Sequence, residues 1–355
     1  MEYTYNENMT TAVDPTTTAD DDEWFRFEVP FFTTICTFGL VGNLLVLFVY
    51  ARKEYRRSNA SLYILNLTFG DMLSMIVVAF HITEFYPSTW PFLWRHDWQC
   101  VVHRYCRYLC FHVTVFILLA IAVDRYFAVC HVVRYKLHFT RKRTRRTLSF
   151  VWALAIVTSA PVLMMFQTKY EDNLDNADVK FNGQIPFACK VVYPDYIPWF
   201  GDFKALYFNV CLFFVPVFII AFFNARIVLF MRRYAQDSAW IDSHCSVKHY
   251  QSHNSVKLHW RMAKLLVMVS VVYFLCYLLF AIYQIVSYYG TLNANLKNIA
   301  IVLPYVNSCA NPVMYSLFNE NFRKAFWKQI KEKKIWKKAA SKTPSTINTI
   351  MQSIL

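Results

Sequence analysis

Charge and glycine are both scarce in this chain. Only 17% of its 355 residues are Asp, Glu, Lys or Arg and only 6 are Gly, whereas soluble domains carry about 25% charged residues. So few charges disfavour a water-soluble enzyme, and so few glycines exclude a collagen-like repeat. A hydrophobic content of 56% also excludes disorder and the charge-rich composition of coiled coils. No basic stretch with a short apolar run and a small-residue cleavage site precedes Val29, so the first apolar segment is expected to target the chain itself. Residues after Cys309 contain no cysteine, and the apolar stretch from Leu265 to Tyr289 contains no proline.

What the chain does have is an excess of positive charge: 37 Lys and Arg against 23 Asp and Glu, a formal +14. In a soluble protein that excess would suggest nucleic acid or an anionic membrane as partner. The distribution of the apolar residues decides between them. A bilayer core about 30 Å thick needs about 20 mostly apolar residues per helix, and seven stretches qualify: Val29 to Tyr50, Leu62 to Thr83, Cys100 to Val123, Thr147 to Gln167, Ala205 to Ala225, Leu265 to Tyr289 and Asn298 to Phe318. Five carry no Asp, Glu, Lys or Arg; the second holds Asp71 and the third holds Arg104 and Arg107. The expected fold is all-α, a seven-transmembrane helix bundle over residues 29–318.

An odd number of spans puts the termini on opposite sides. Residues 51–57, 125–146, 232–264 and 319–355 hold 27 of the 37 Lys and Arg, whereas residues 1–28 hold eight carboxylates and one Arg. By the positive-inside rule the N-terminus lies outside. The positive charge then marks the cytoplasmic face and its attraction to anionic lipid, and nucleic acid loses its support. Residues 1–28 and 338–355 are expected to be disordered tails. Asn8 starts a glycosylation acceptor in the outer tail. Asn59 and Asn66 start the same tripeptide where the transferase cannot reach. Phe322, Phe326 and Ile330 form an apolar stripe among lysines, so residues 319–337 are expected to be an amphipathic helix on the inner interface.

Most of the ten cysteines lie within spans, where a thiol packs as a small apolar group. Cys100 at an outer helix mouth and Cys189 in the long outer loop sit in an oxidising compartment where a disulfide persists; two unpaired thiols are the alternative. Such a bond would staple the loop across the bundle mouth.

Several landmarks stand in order on these spans: Gly42-Asn43; Asn66 to Asp71; Asp124-Arg125-Tyr126 closing the third; Trp152 and Pro161 in the fourth; Pro216 in the fifth; and Asn307-Ser308 with Asn311-Pro312-Val313-Met314-Tyr315 ending the seventh. Together they resemble the rhodopsin-like (class A) G-protein-coupled receptors over residues 30–330. The resemblance implies a non-enzymatic, multi-pass receptor of the plasma membrane. Asp71 would face a polar cluster of Asn43, Thr114, Asn307, Ser308 and Asn311 that holds a sodium ion in the family, a protonated Asp71 being the alternative. Asp124, Arg125, Tyr126 and Tyr315 would form the switch toward a heterotrimeric G protein, Arg125 resting beside Asp124 while inactive.

Some positions depart from the family pattern. Tyr277 and Leu279 stand where it usually shows Trp and Pro, Asn224 replaces a Tyr, Val132 a Pro, and His259 the acid that pairs Arg125 in some members. Loss of the proline predicts a straighter sixth helix. These departures leave a ligand-independent or decoy receptor as an alternative; a seven-span transporter is a second, which would need symmetric halves and more buried carboxylates.

Arg107, eighteen residues before Arg125, occupies the position where amine receptors carry Asp, which disfavours a small cationic amine. Tyr305 replaces the retinal lysine of visual pigments. An extracellular peptide remains, basic and aromatic, with Glu84, Arg104, Arg107, Asp202, Tyr207, Tyr277, Tyr283, Gln284 and Tyr305 as candidate contacts. The arginines could take a carboxylate or amide carbonyl of it, or pair with Glu84. Trp90-Pro91-Phe92 resembles the first outer loop of galanin, somatostatin and allatostatin-type receptors, and an FMRFamide-type peptide is equally compatible. His244, Cys245, His249 and His253 have spacings open to zinc, though a polar loop is the simpler reading. Ser353-Ile354-Leu355 fits a PDZ-domain partner, and the Ser and Thr of the basic tail would on phosphorylation favour arrestin.

Overall fold

The computed structural model describes residues 17–52, 54, 58–82, 96–170, 187–191, 199–244, 250–289 and 294–340. Asn8, Glu84, the Trp90 to Trp94 segment and the last fifteen residues lie outside them, as do the side chains around the histidine-rich loop.

Among the described residues, seven helical rods make the bundle. They are α1 (Thr17–Tyr50), α2 (Asn59–Ile82), α3 (Asp97–Cys130), α5 (Arg141–Ser159) continued by a 3-10 turn, a broken rod of α6 (Phe200–Leu206) and α7 (Val215–His244), α8 (Tyr250–Tyr289) and α9 (Ala294–Phe318). The short α4 (Val132–His138) links α3 to α5, and α10 (Glu320–Ala340) follows α9. Among the described residues six rods are long and apolar enough to cross a membrane. The seventh, α9, is diluted by Pro304 and Pro312 and by the buried polar Asn307, Ser308 and Asn311, and it packs against α1, α2 and α8.

The bundle is apolar outside as well as inside. Phe38, Phe69, Phe150, Phe218 and Phe222 are all more than half exposed, which water does not tolerate in contiguous patches but lipid does. The apolar part of α3 is 72% buried against 28% for α5, so α3 is the central post of the bundle.

Several boundaries differ from those read off the sequence, and α10 runs to Ala340, so residues 338–340, expected as tail, are helical. Helix α1 begins at Thr17, not Val29, so residues 17–28, expected as tail, are helical. The fourth span stops at Ser159, followed by a 3-10 turn over Ala160–Met164. Pro161 lacks an N–H and ends the α-helix, and Phe166 and Gln167, expected in the span, open a hairpin. Strand β1 (Phe166–Tyr170) pairs antiparallel with β2 (Phe187–Val191), Thr168 opposite Cys189. In the fifth rod, Tyr207–Phe214 is a π-helix. Pro216 two residues on removes an α-type donor and crowds the carbonyl four residues back, which the wider turn relieves.

After α9, α10 docks on the protein itself. Its buried face is Phe322, Ala325 and Gln329; Phe326 and Ile330, expected in the stripe, are half-buried and Trp327 is exposed. Asn319 accepts from the Phe322 N–H at 3.1 Å and donates to Tyr50 Oη at 2.9 Å, and Gln329 donates to the Val49 carbonyl at 3.2 Å. Phe322 stacks on Tyr50 with centroids 5.9 Å apart.

Gly42 lets α1 approach α9 closely: a Cβ there would lie 3.0 Å from Cβ and Cγ of Pro312. Gly42→Val is therefore expected to cost about 1–3 kcal/mol. In detergent, its thermal unfolding midpoint should fall by several degrees, with Gly42→Ala between it and wild type; an unchanged midpoint would mean the two helices separate at no cost.

Candidate functional site

Helix periodicity carries Tyr108, Phe111 and His112 of α3 to one face, and that face borders a cavity. The π-turn brings Phe208, Asn209, Leu212 and Phe213 to the opposite wall, and α8 supplies Tyr273, Tyr277, Phe280, Ala281 and Gln284. The space between atoms is about 400 Å³, partly open to solvent. Gln284 Nε2 donates to Tyr108 Oη at 2.6 Å. His112 Nδ1 lies 2.8 Å from Ser159 Oγ, and its ring stacks on Phe208. Below, Tyr277 stacks on Tyr273 at 4.3 Å and meets the edge of Phe111 at 5.2 Å.

A disulfide between Cys100 and Cys189 fastens β2 to the head of α3. Arg104 serves this hairpin: its Nε donates to Cys189 Sγ at 3.4 Å, its Nη2 to the Cys189 carbonyl at 3.5 Å, and its guanidinium lies 5.8 Å from the Phe166 ring. One turn deeper, Arg107 is 5% exposed, buried behind Phe111 and Phe280 rather than lining the cavity.

Of the ligand contacts expected from sequence, Tyr277 and Gln284 line the cavity. Tyr207 turns toward α5 and donates to the Thr158 carbonyl at 3.2 Å. Asp202 is exposed on α6, and Tyr283 is half-buried beside Phe280. Tyr305 is fully buried under Arg107. The sequence reading missed Tyr108, His112, Phe208 and Asn209. The turn-by-turn spacing of α3 below Arg104 was the signal for the first two.

In the middle of the bundle, Asn311 Nδ2 donates to Asp71 Oδ2 at 2.8 Å, and Asn43 Nδ2 donates to the carbonyls of Gly39 at 2.9 Å and Ser308 at 3.1 Å. Thr114 and Asn307 are buried on α3 and α9. Among the described residues, Asp71 Oδ1, Asn43 Oδ1 and Asn307 Nδ2 are buried without a hydrogen-bond partner. Two of these three are oxygens, the donor type a small hard cation takes.

At the C-terminal end of α3, Asp124 is buried and Arg125 folds back on it as an ion pair, with Nε to Oδ2 at 3.1 Å. A third member, not foreseen, comes from α4. Tyr135 Oη donates to Asp124 Oδ2 at 3.3 Å and accepts from Arg125 Nη2 at 3.4 Å. Burial pushes the Tyr135 hydroxyl above the usual tyrosine range, against the pull of the Arg125 charge, so the hydroxyl keeps the proton it donates. Asn59 holds this loop by donating to the Phe139 carbonyl at 2.7 Å and to Tyr135 Oη at 3.4 Å. Tyr126 Oη lies 3.1 Å from His131 Nε2, and Tyr315 is buried on α9. His259 falls outside the described side chains.

This arrangement has known counterparts. The family model described as 7 transmembrane receptor (rhodopsin family) matches residues 42–315. Somatostatin receptor type 4 of Rattus norvegicus is 28% identical over 297 residues, covering 83% of this chain and 70% of the relative. Somatostatin receptor type 1 of Rattus norvegicus is 26% identical over 298 residues, covering 83% and 69% respectively. With an apolar bundle, a disulfide-fastened hairpin at one end and an Asp-Arg pair at the other, the chain belongs to the rhodopsin family of seven-transmembrane receptors, which are not enzymes.

Proposed function

We propose that this receptor sits in the plasma membrane with its N-terminus outside, binds an extracellular peptide in the outer cavity and activates a heterotrimeric G protein at its inner end. The observation that carries this reading is the position of α3. It lines the cavity with Tyr108, Phe111 and His112 and ends, one continuous rod later, in the Asp124–Arg125–Tyr135 cluster. The relatives named as somatostatin receptors support a peptide. Aromatic walls with a few polar groups suit peptide side chains. Arrestin, recruited by a phosphorylated tail, and a PDZ-domain protein at Ser353-Ile354-Leu355 are the further partners proposed.

The polar cluster is proposed to hold a sodium ion on Asp71 and Asn43, with Thr114, Asn307, Ser308 and Asn311 around it. Bound there, the ion would offset the Asp71 charge and favour the resting arrangement.

The test is guanine-nucleotide loading on a panel of G proteins, with the full receptor in membranes and a synthetic peptide library. A saturable peptide response supports the reading; solute uptake, or unstimulated output that no peptide changes, overturns it. Run in sodium and in choline salts, peptide potency is expected to fall severalfold in sodium for wild type and to be unaffected in Asp71→Asn.

A further inference from the structure

Three sulfur atoms from three helices meet opposite one glycine. A Cβ at Gly39 of α1 would collide with Met75 Sδ of α2 and lie 2.9 Å from Cys309 Sγ of α9, so these two sulfurs share the notch that the missing side chain leaves. Cys36 supplies the third, one turn before Gly39 on the same helix, and its Sγ donates to the Met75 carbonyl at 3.4 Å. Cys309 Sγ in turn donates at 3.2 Å to the carbonyl of Ile35, the chain neighbour of Cys36, and lies within electrostatic reach of Cys36 itself. All three residues are buried, and both thiols are free of disulfide. None of the three lines the outer cavity.

From this geometry we infer that Cys36, Met75 and Cys309 form a binding site for a soft monovalent metal ion, copper(I). Thiolate and thioether sulfurs select copper(I) over harder ions, whereas the oxygens of the Asp71 cluster suit the proposed sodium, so softness keeps the two ions apart. Charge points to the same ion. An uncompensated charge inside an apolar bundle is costly. On binding, one thiol releases its proton to water, and a thiolate, a neutral thiol and a thioether around the singly charged ion leave no net charge. Zinc would need a fourth ligand, and among the described residues no histidine, carboxylate or further cysteine completes such a set. Copper(I) needs no fourth ligand. Because each sulfur comes from a different helix, the bound ion ties α1, α2 and α9 together.

The experiment uses the full receptor in detergent micelles, loaded with copper(I) under argon with ascorbate and then passed over a copper(I)-chelating resin. Wild type is expected to retain about one copper per receptor. X-ray absorption should find sulfur alone in its first coordination shell, and the thermal midpoint should rise by several degrees over the metal-free protein. Cys36→Ser, Met75→Leu and Cys309→Ser should each lose the copper, whereas Cys211→Ser, which removes an exposed free thiol, should keep it. Met75→Leu nearly conserves volume, and the metal-free midpoint of each variant reports whether it has folded. A wild type that retains no copper, or that holds it through oxygen or nitrogen, overturns the inference without any variant having to fold. Retention undiminished in folded Cys309→Ser or Met75→Leu overturns it as well, as does equal loss in Cys211→Ser. No readout here depends on a peptide or a G protein, so the receptor reading and this one fail separately.

Discussion

Cys189→Ser is expected to leave little receptor at the cell surface, and what arrives should not respond to peptide. The Cys100–Cys189 bond spans 89 residues, and loss of a native disulfide costs about 2–5 kcal/mol. Two further losses follow from the geometry. Arg104 donates to both the sulfur and the carbonyl of Cys189, so release of the hairpin breaks these two contacts as well. Phe166, under that cation, packs beside Tyr108, one of the cavity walls. Surface staining of an N-terminal tag, with peptide-stimulated nucleotide loading per receptor, checks the prediction. Cys211→Ser is the control, since that thiol is free and exposed. Equal loss in both variants would assign the effect to handling of the protein rather than to the bridge.

The second large effect lies at the opposite end. Arg125→Ala should abolish peptide-stimulated loading if, as proposed, Arg125 is the group released toward the G protein. Asp124→Asn and Tyr135→Phe should instead raise unstimulated loading, as each takes a partner from Arg125 or from the carboxylate that restrains it. A hydrogen bond to a charged group is worth about 1.5–3 kcal/mol, and those of Tyr135 are long at 3.3 to 3.5 Å. A rise of about threefold is expected for Tyr135→Phe and about tenfold for Asp124→Asn, where the full ion pair is lost. An intact peptide response in Arg125→Ala would remove this cluster from the signalling route.

The sequence made the spans and the charged landmarks legible because hydropathy and charge act locally. Twenty apolar residues need a membrane whatever their neighbours do. Asp71 with Asn311 could be named together because a mid-membrane charge must find partners, and Asp124 with Arg125 because the triplet they open resembles the family's. The π-turn at Tyr207 to Phe214 was not legible. It depends on which carbonyl Pro216 would crowd, and it changes which residues face inward, turning Tyr207 away and Asn209 in. The cage around Arg107 joins rings from three helices, an outcome of packing that no single segment encodes. Tyr135 was missed for a similar reason, since only the fold of α4 returns it to the end of α3.

One consequence of the way α10 is held concerns salt. Asn319, Gln329 and Phe322 tie it to the last turn of α1 through uncharged contacts. Such contacts are not screened by ions, so this docking should persist at ionic strengths that release a basic helix face from anionic lipid.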